Sequence, residues 1–280
     1  MILLERVMRS WIGLCLLLIL TSVNVLAQQG GRNPGVDAVQ RGDYEIARQY
    51  WLPLAAKGNS DAQNNLAVLY ERGWGVERNY GKAAELYRQA ADQGNASAQN
   101  NLGVLYERGF GVPKDMARAA EWYRKAANRG DLNAQNNLGV LSERGEGVPK
   151  DLTAAVRWYR SAAERSHAQA QNNLGVLYER GQGLPKSDAQ AAVWYRKAAE
   201  QGNPAAQNNL GVFYGSGRSV KEDLAQANFW FSLAAIGGSA NGAINRDSTS
   251  RRLTTEQRQQ VEKMLADFAD RQSRQATRRP

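Results

Sequence analysis

Cysteine and histidine are almost absent. The 280 residues include one of each, Cys15 and His167. A Cys/His zinc site, a disulfide framework and a nucleophile–base–acid triad therefore lack their ingredients. No G-x-S-x-G elbow and no S-x-x-K motif occurs. Gly73-Trp74-Gly75 and its copies lack the third glycine of a dinucleotide loop, and no strand pattern precedes them. Acidic charge is in the minority, with 27 Asp and Glu against 36 Lys and Arg, a net charge of +9. That balance suits anionic partners without identifying one. With 22% charged residues and a mean hydropathy of −0.58, several membrane spans are excluded. The 42% of hydrophobic residues is still enough to bury a substantial core. These readings point to a water-soluble chain with no catalytic kit.

The one marked apolar run lies at the start. Arg6 and Arg9 precede the run Trp11 to Leu20, and Val25-Leu26-Ala27 places small residues three and one before Gln28. This is the pattern of a secretory signal peptide over 1–27, the run being shorter than the ~20 residues that span a bilayer. No small-residue lipobox precedes Cys15. Cleavage removes Glu5, Arg6 and Arg9, lowers the net charge to +8 and leaves a mature chain without cysteine. Such a chain, exported to a periplasmic or extracellular space, is held by packing alone, with no membrane span.

Beyond the leader the sequence repeats itself. Leu66, Leu102, Leu138, Leu174 and Leu210 are each 36 residues apart, within AQNNLAVLYERG (62–73) and its four copies. Trp122, Trp158, Trp194 and Trp230 share the same spacing, with Leu86 in that place in the first unit. Five full units run over 61–96, 97–132, 133–168, 169–204 and 205–240. Ala98, Leu102, Leu105 and Tyr106 form one helical stripe, and Ala119, Trp122, Tyr123, Ala126 and Ala127 a second. Each unit thus reads as a helix hairpin, turned by Gly-x-Gly and in the middle units by Val-Pro-Lys or Leu-Pro-Lys. Gly103, Gly139, Gly175 and Gly211 imply a close helix approach, since glycine costs about 1 kcal/mol inside a helix.

A hairpin of about 25 helical residues cannot bury its own stripe, so units must stack into a quasi-one-dimensional superhelix. Residues 28–60 read as a linker and a lone capping helix bent at Pro53. Residues 241–270 read as a degenerate repeat and a closing helix that starts at Thr254. Residues 271–280 read as a basic disordered tail. Ser166, standing where glycine is wanted, is expected to change the angle between the third and fourth units.

The 36-residue unit, as in Ala98 to Gly130, resembles the Sel-1-like repeat, a relative of the tetratricopeptide repeat. The resemblance covers Asp61 to Ala240 and implies an all-α fold, an α-solenoid winding as a right-handed superhelix of helix-turn-helix repeats. It also implies a protein-protein interaction scaffold or adaptor that needs no cofactor and is not an enzyme. The partner implied is a protein or peptide held on the concave face, not a nucleic acid. A disulfide-rich branch of the family is associated with β-lactam recognition. That leaves as an alternative a hydrolase or ligand-binding protein acting on cell-wall material, although the branch's cysteine pairs are missing here, while Arg251, Arg252 and the terminal arginines suggest a basic module that holds an anionic cell-envelope polymer.

By resemblance to the tetratricopeptide pattern, the groove would be lined by Asn64, Asn100, Asn136, Asn172 and Asn208, with Val104, Val140 and Val176. The pairs Glu107-Arg108, Glu143-Arg144 and Glu179-Arg180 would join them. Asparagine is a mediocre helix former, so a double asparagine on each of five helices needs a reason. Either the amides read a peptide backbone, or one of each pair bonds the backbone of an adjacent hairpin. The Glu-Arg pairs also read as solvated helix ends, the arginine complementing the helix dipole. Trp74 and Phe110, at the variable turn position, form either an exposed binding edge or a fold-back onto their own hairpins.

Overall fold

Most helices open on a side chain that takes up free backbone N–H groups, although Asp43, before the helix Tyr44–Ala56, makes no such bond. Asn59, Asn95, Asp131, His167, Asn203 and Ser239 accept from the N–H three residues on and start the first helix of each hairpin. Asn79, Asp115, Asp151, Ser187 and Asp223 do the same for the second. Left-handed glycines end the first helices, from Gly73 to Gly217, with φ between +66° and +75°.

The computed structural model describes residues 33–277. The leader assigned to 1–27 lies outside them. Fourteen helices run through the described residues: α1 (Pro34–Arg41), α2 (Tyr44–Ala56), α3 (Ser60–Arg72), α4 (Tyr80–Asp92), α5 (Ala96–Arg108), α6 (Met116–Asn128), α7 (Leu132–Arg144), α8 (Leu152–Glu164), α9 (Ala168–Arg180), α10 (Asp188–Glu200), α11 (Pro204–Ser216), α12 (Leu224–Ile236), α13 (Ala240–Ser250) and α14 (Thr255–Thr277). No strand occurs among these residues, and the fold is the all-α hairpin stack expected.

The chain divides into two compact units, Met1–Ala126 and Ala127–Pro280. In the first, Trp51, Leu66 and Leu69 centre a core on which Tyr44, Tyr50 and Trp74 pack. In the second, Tyr159, Leu174 and Leu177 centre one core, and Tyr195, Leu210, Phe213 and Trp230 another. Four second-helix tyrosines, Tyr87, Tyr123, Tyr159 and Tyr195, are fully buried. They explain the helical glycines: a Cβ on Gly139 would lie 2.6 Å from the Tyr159 ring, and one on Gly103 or Gly175 2.7 Å from Tyr123 or Tyr195.

Two expectations change. The N-terminal segment holds a hairpin where a lone helix was expected. Asn33 and Pro34 start α1, and Gly35 leaves room for the Trp51 indole, whose N–H donates to Asn33. Helix α2 continues through Pro53 to Ala56. At the other end, 271–277 is the last part of α14, because no glycine or proline interrupts the chain until Pro280. A reciprocal capping box starts this helix, with Thr254 N–H donating to Gln257 and Gln257 N–H to the Thr254 hydroxyl.

Ser166 adopts the left-handed backbone itself, at φ +66°, where Gly130 and Gly202 stand at +86°. Its N–H donates to the Ala163 carbonyl just as the Gly130 N–H donates to Ala127. The loop geometry is therefore kept at the expense of local strain. Ser166→Gly should stabilise the chain by about 1 kcal/mol, read as a higher urea midpoint. A lower midpoint would contradict the strain.

Candidate functional site

The asparagines sit on the first helices, one face of each carrying a line such as Asn136, Val140 and Arg144 at four-residue spacing. Asn100, Asn136 and Asn172 are buried, and Asn64 and Asn208 half-buried. Their partners are other amides. In the first unit Asn101 donates to the Asn64 carbonyl oxygen at 3.2 Å. In the second, Asn173 donates to Asn136 at 3.0 Å, Asn209 to Asn172 at 3.1 Å and Asn245 to Asn208 at 2.9 Å. Within pairs, Asn64 donates to Asn65 and Asn172 to Asn173. Within each unit the second asparagine of one repeat thus reaches the first asparagine of the repeat before, and the amides form a ladder.

The tie to a neighbouring backbone is real, but glutamine makes it. Gln63, Gln99, Gln135, Gln171 and Gln207 are buried and donate to the carbonyls of Ala55, Ala91, Ala127, Ala163 and Ala199, each in the preceding second helix, at 2.9–3.2 Å. Gln93 and Gln201 complete the Gln63 and Gln171 amides by donating to their oxygens at 2.7 Å. At Gln99, Gln135 and Gln207 the residue thirty positions on is Arg129, Arg165 or Gly237, and the amide oxygen has no donor among the described residues. The signal in the sequence was the glutamine present in all five AQNN copies.

The Glu-Arg pairs separate in space. Tyr87, Tyr123, Tyr159 and Tyr195 donate their hydroxyls to Glu71, Glu107, Glu143 and Glu179 at 2.5–2.8 Å. Burial and the adjacent carboxylate both raise the tyrosine pKa, so these hydroxyls stay protonated. The glutamates are half-buried anchors, whereas Arg108, Arg144 and Arg180 are exposed. Val104, Val140 and Val176 are half-buried, and the corresponding Val212 is 38% exposed.

Trp74 and Phe110 fold back, though onto the preceding hairpin. Trp74 stacks on Tyr44 with centroids 5.0 Å apart, and Phe110 lies 4.8 Å from Tyr80. In the last repeat the same two positions hold a cation and an anion: Arg218 grips Asp188 at 2.9 Å and also reaches Glu179 at 2.8 Å. The Arg218 guanidinium, hydrogen-bonded to Asp188, holds that carboxyl below its ordinary pKa.

His167 caps α9. Its Nδ1 accepts from the Ala170 N–H at 3.2 Å, which places the proton on Nε2, 3.2 Å from the Asn133 Oδ1. Burial lowers its pKa, with Asp131 opposing. The folded pKa therefore lies below the unfolded value of about 6.5. The cap's contribution is complete above that pH and is lost as the pH falls from there through the folded pKa, where imidazolium cannot accept from Ala170. Being the only histidine, it is testable by difference. Between pH 7 and 5 the wild type should lose about 1 kcal/mol more than His167→Asn, which keeps an acceptor. Parallel urea curves would contradict the cap.

Among the described residues no group of three or more histidine, cysteine or acidic side chains is placed to hold a metal ion. No helix among them is long and apolar enough to cross a membrane. The arrangement is therefore one of repeats tied to repeats, and comparison with known proteins agrees. The Sel1 repeat model matches six times, at 27–59, 60–95, 96–131, 132–167, 168–203 and 204–239. The chain belongs to the Sel1 repeat family. The first of these matches, 27–59, precedes the five units read from the spacing and takes in α1 and α2.

Solved structures share the fold. A protective antigen present in uropathogenic Escherichia coli strains, displaying an SLR fold, is 39% identical with a TM-score of 0.76, over 81% of this chain and 49% of that one. The chain thus spans about half the length of that antigen. A Sel1 repeat protein from Oxalobacter formigenes is 36% identical with a TM-score of 0.65, over 74% of this chain and 86% of that one. No curated protein matches. Sel1 repeat proteins are generally protein-interaction scaffolds, and their fold is typically non-catalytic.

Proposed function

We propose that this Sel1 repeat protein is an exported, non-catalytic adaptor that holds a protein or peptide against the face made by its first helices. The observation that supports this reading is the fate of the polar groups. The asparagines and glutamates of the repeat, and the N–H groups of its glutamines, are taken up by bonds within the array. What the first helices α3, α5, α7 and α9 leave for a partner is a valine and an exposed arginine four residues on, as in Val140 with Arg144 and Val176 with Arg180. That pattern suits an extended segment carrying apolar and acidic side chains at one-repeat spacing. Export rests on the leader pattern of residues 1–27.

The test is a cross-linked pull-down of the mature chain from the envelope fraction of its own cell, beside Arg144→Glu with Arg180→Glu. The double variant should lose a partner while its melting temperature stays unchanged, and N-terminal sequencing of the native protein should begin at Gln28. Capture that survives the charge reversal, or retention on peptidoglycan with no protein partner, would overturn the reading.

A further inference from the structure

At the C-terminal end of the second unit, α10, α12 and α14 enclose a cleft of about 470 Å³. Its floor is aromatic. Phe229 and Trp230 meet edge-on at 4.8 Å, and Phe268 from α14 lies 6.0 Å from Phe229 and 6.5 Å from Trp230. Glu200 from α10 and Asp267 from α14 also line it. Asp267 forms no ion pair among the described residues.

The repeat itself indicates what such a place accepts. Trp230 is the last of four equivalent tryptophans. In two earlier copies a lysine three residues on lies over the indole, Lys125 at 3.9 Å from Trp122 and Lys197 at 4.3 Å from Trp194. At Trp230 the corresponding residue is Leu233, so the chain supplies no ammonium from that position. Instead α14 brings a further aromatic ring and a carboxylate. It also brings the Arg271 guanidinium, which lies 5.9 Å from the Phe268 centroid, so a cation already approaches this floor from the chain itself. An aromatic floor beside a carboxylate with no ion-pair partner among the described residues attracts an ammonium on an aliphatic stem: the rings bind the charge through their quadrupole and the methylenes by contact.

We propose that this cleft binds a lysine side chain of a partner protein, with Asp267 pairing its ammonium and Arg271 as the own-chain cation that the lysine displaces. The identity of the donor as a protein rests on the adaptor reading, but the site is separate from the first-helix face.

The test is a titration of the purified mature chain with acetyl-lysine-methylamide, followed by amide and indole NMR shifts. Acetyl-norleucine-methylamide, which has the same stem without the charge, is the control. The lysine probe should give saturable shifts that include the Trp230 indole, and the norleucine probe none. Asp267→Asn should weaken binding about tenfold, and Arg271→Ala should tighten it, since a competing cation is gone. Both residues are exposed, so neither change should unfold the chain. Equal binding of the two probes, or affinity unchanged in Asp267→Asn, would overturn the site. Capture lost in the first-helix arginine variant with the lysine probe still bound would separate the two surfaces.

Discussion

Leu174→Ala should destabilise the chain by about 2–5 kcal/mol. Leu174 is fully buried in a core with Tyr159 and Leu177, and its neighbours are held by backbone and amide bonds on both sides. The surrounding helices therefore cannot collapse into the space. The residue also sits in the middle of the second unit, and in a stack stability comes from each hairpin plus its interfaces with its neighbours. A cavity there weakens α9 and α10 and their contact with α8 together. The measurement is equilibrium urea unfolding, and a shift below about 0.5 kcal/mol would place Leu174 outside a packed core.

The second large effect separates two substitutions at one glycine. A Cβ at position 139 would meet the Tyr159 ring at 2.6 Å. Leucine would have to push aside a ring that is fully buried and whose hydroxyl donates to Glu143 at 2.8 Å. Overpacking of this kind costs about 1–3 kcal/mol, and moving the hydroxyl away from Glu143 leaves a buried donor unmet, which costs about 1–3 kcal/mol more. Gly139→Ala should behave differently. The first repeat carries Ala67 at the same position, fully buried on the helix paired with that of Tyr87, so a small ring shift accepts one methyl group. The gain of about 1 kcal/mol in helix propensity then offsets the strain. Gly139→Leu should lower the melting temperature markedly while Gly139→Ala leaves it nearly unchanged. Equal behaviour of the two would remove the tyrosine as the reason for the glycine.

Much of the fold was legible because the chain repeats. The leucines and tryptophans recur every 36 residues, the caps fall on Asn, Asp and Ser, and the turn glycines mark where left-handed backbone is needed. What could not be read was the partner of each polar side chain. Asn136 looks the same in a row of letters whether it faces a ligand or the Asn173 amide 37 residues on. Gln171 raised no question because glutamine is a good helix former, although it makes the bond to a neighbouring backbone that was assigned to asparagine. The turn residues did carry a usable signal. Trp74 with Tyr44, Phe110 with Tyr80 and Arg218 with Asp188 change together, aromatic with aromatic and cation with anion, thirty residues apart. Ser166 was judged by its poor fit to a left-handed site, and the stack holds it in that conformation regardless.

The central claim is that the asparagine ladder joins repeats to one another and is not a row of ligand contacts. A double-mutant cycle on Asn136 and Asn173 tests it most directly, with each residue changed to alanine alone and together and the stability read by urea unfolding. The 3.0 Å bond between their amides should appear as a coupling energy of about 1 kcal/mol, each single variant being destabilised. Additive effects with a coupling near zero, and single variants as stable as the wild type, would contradict the ladder and return the asparagines to the partner-binding face.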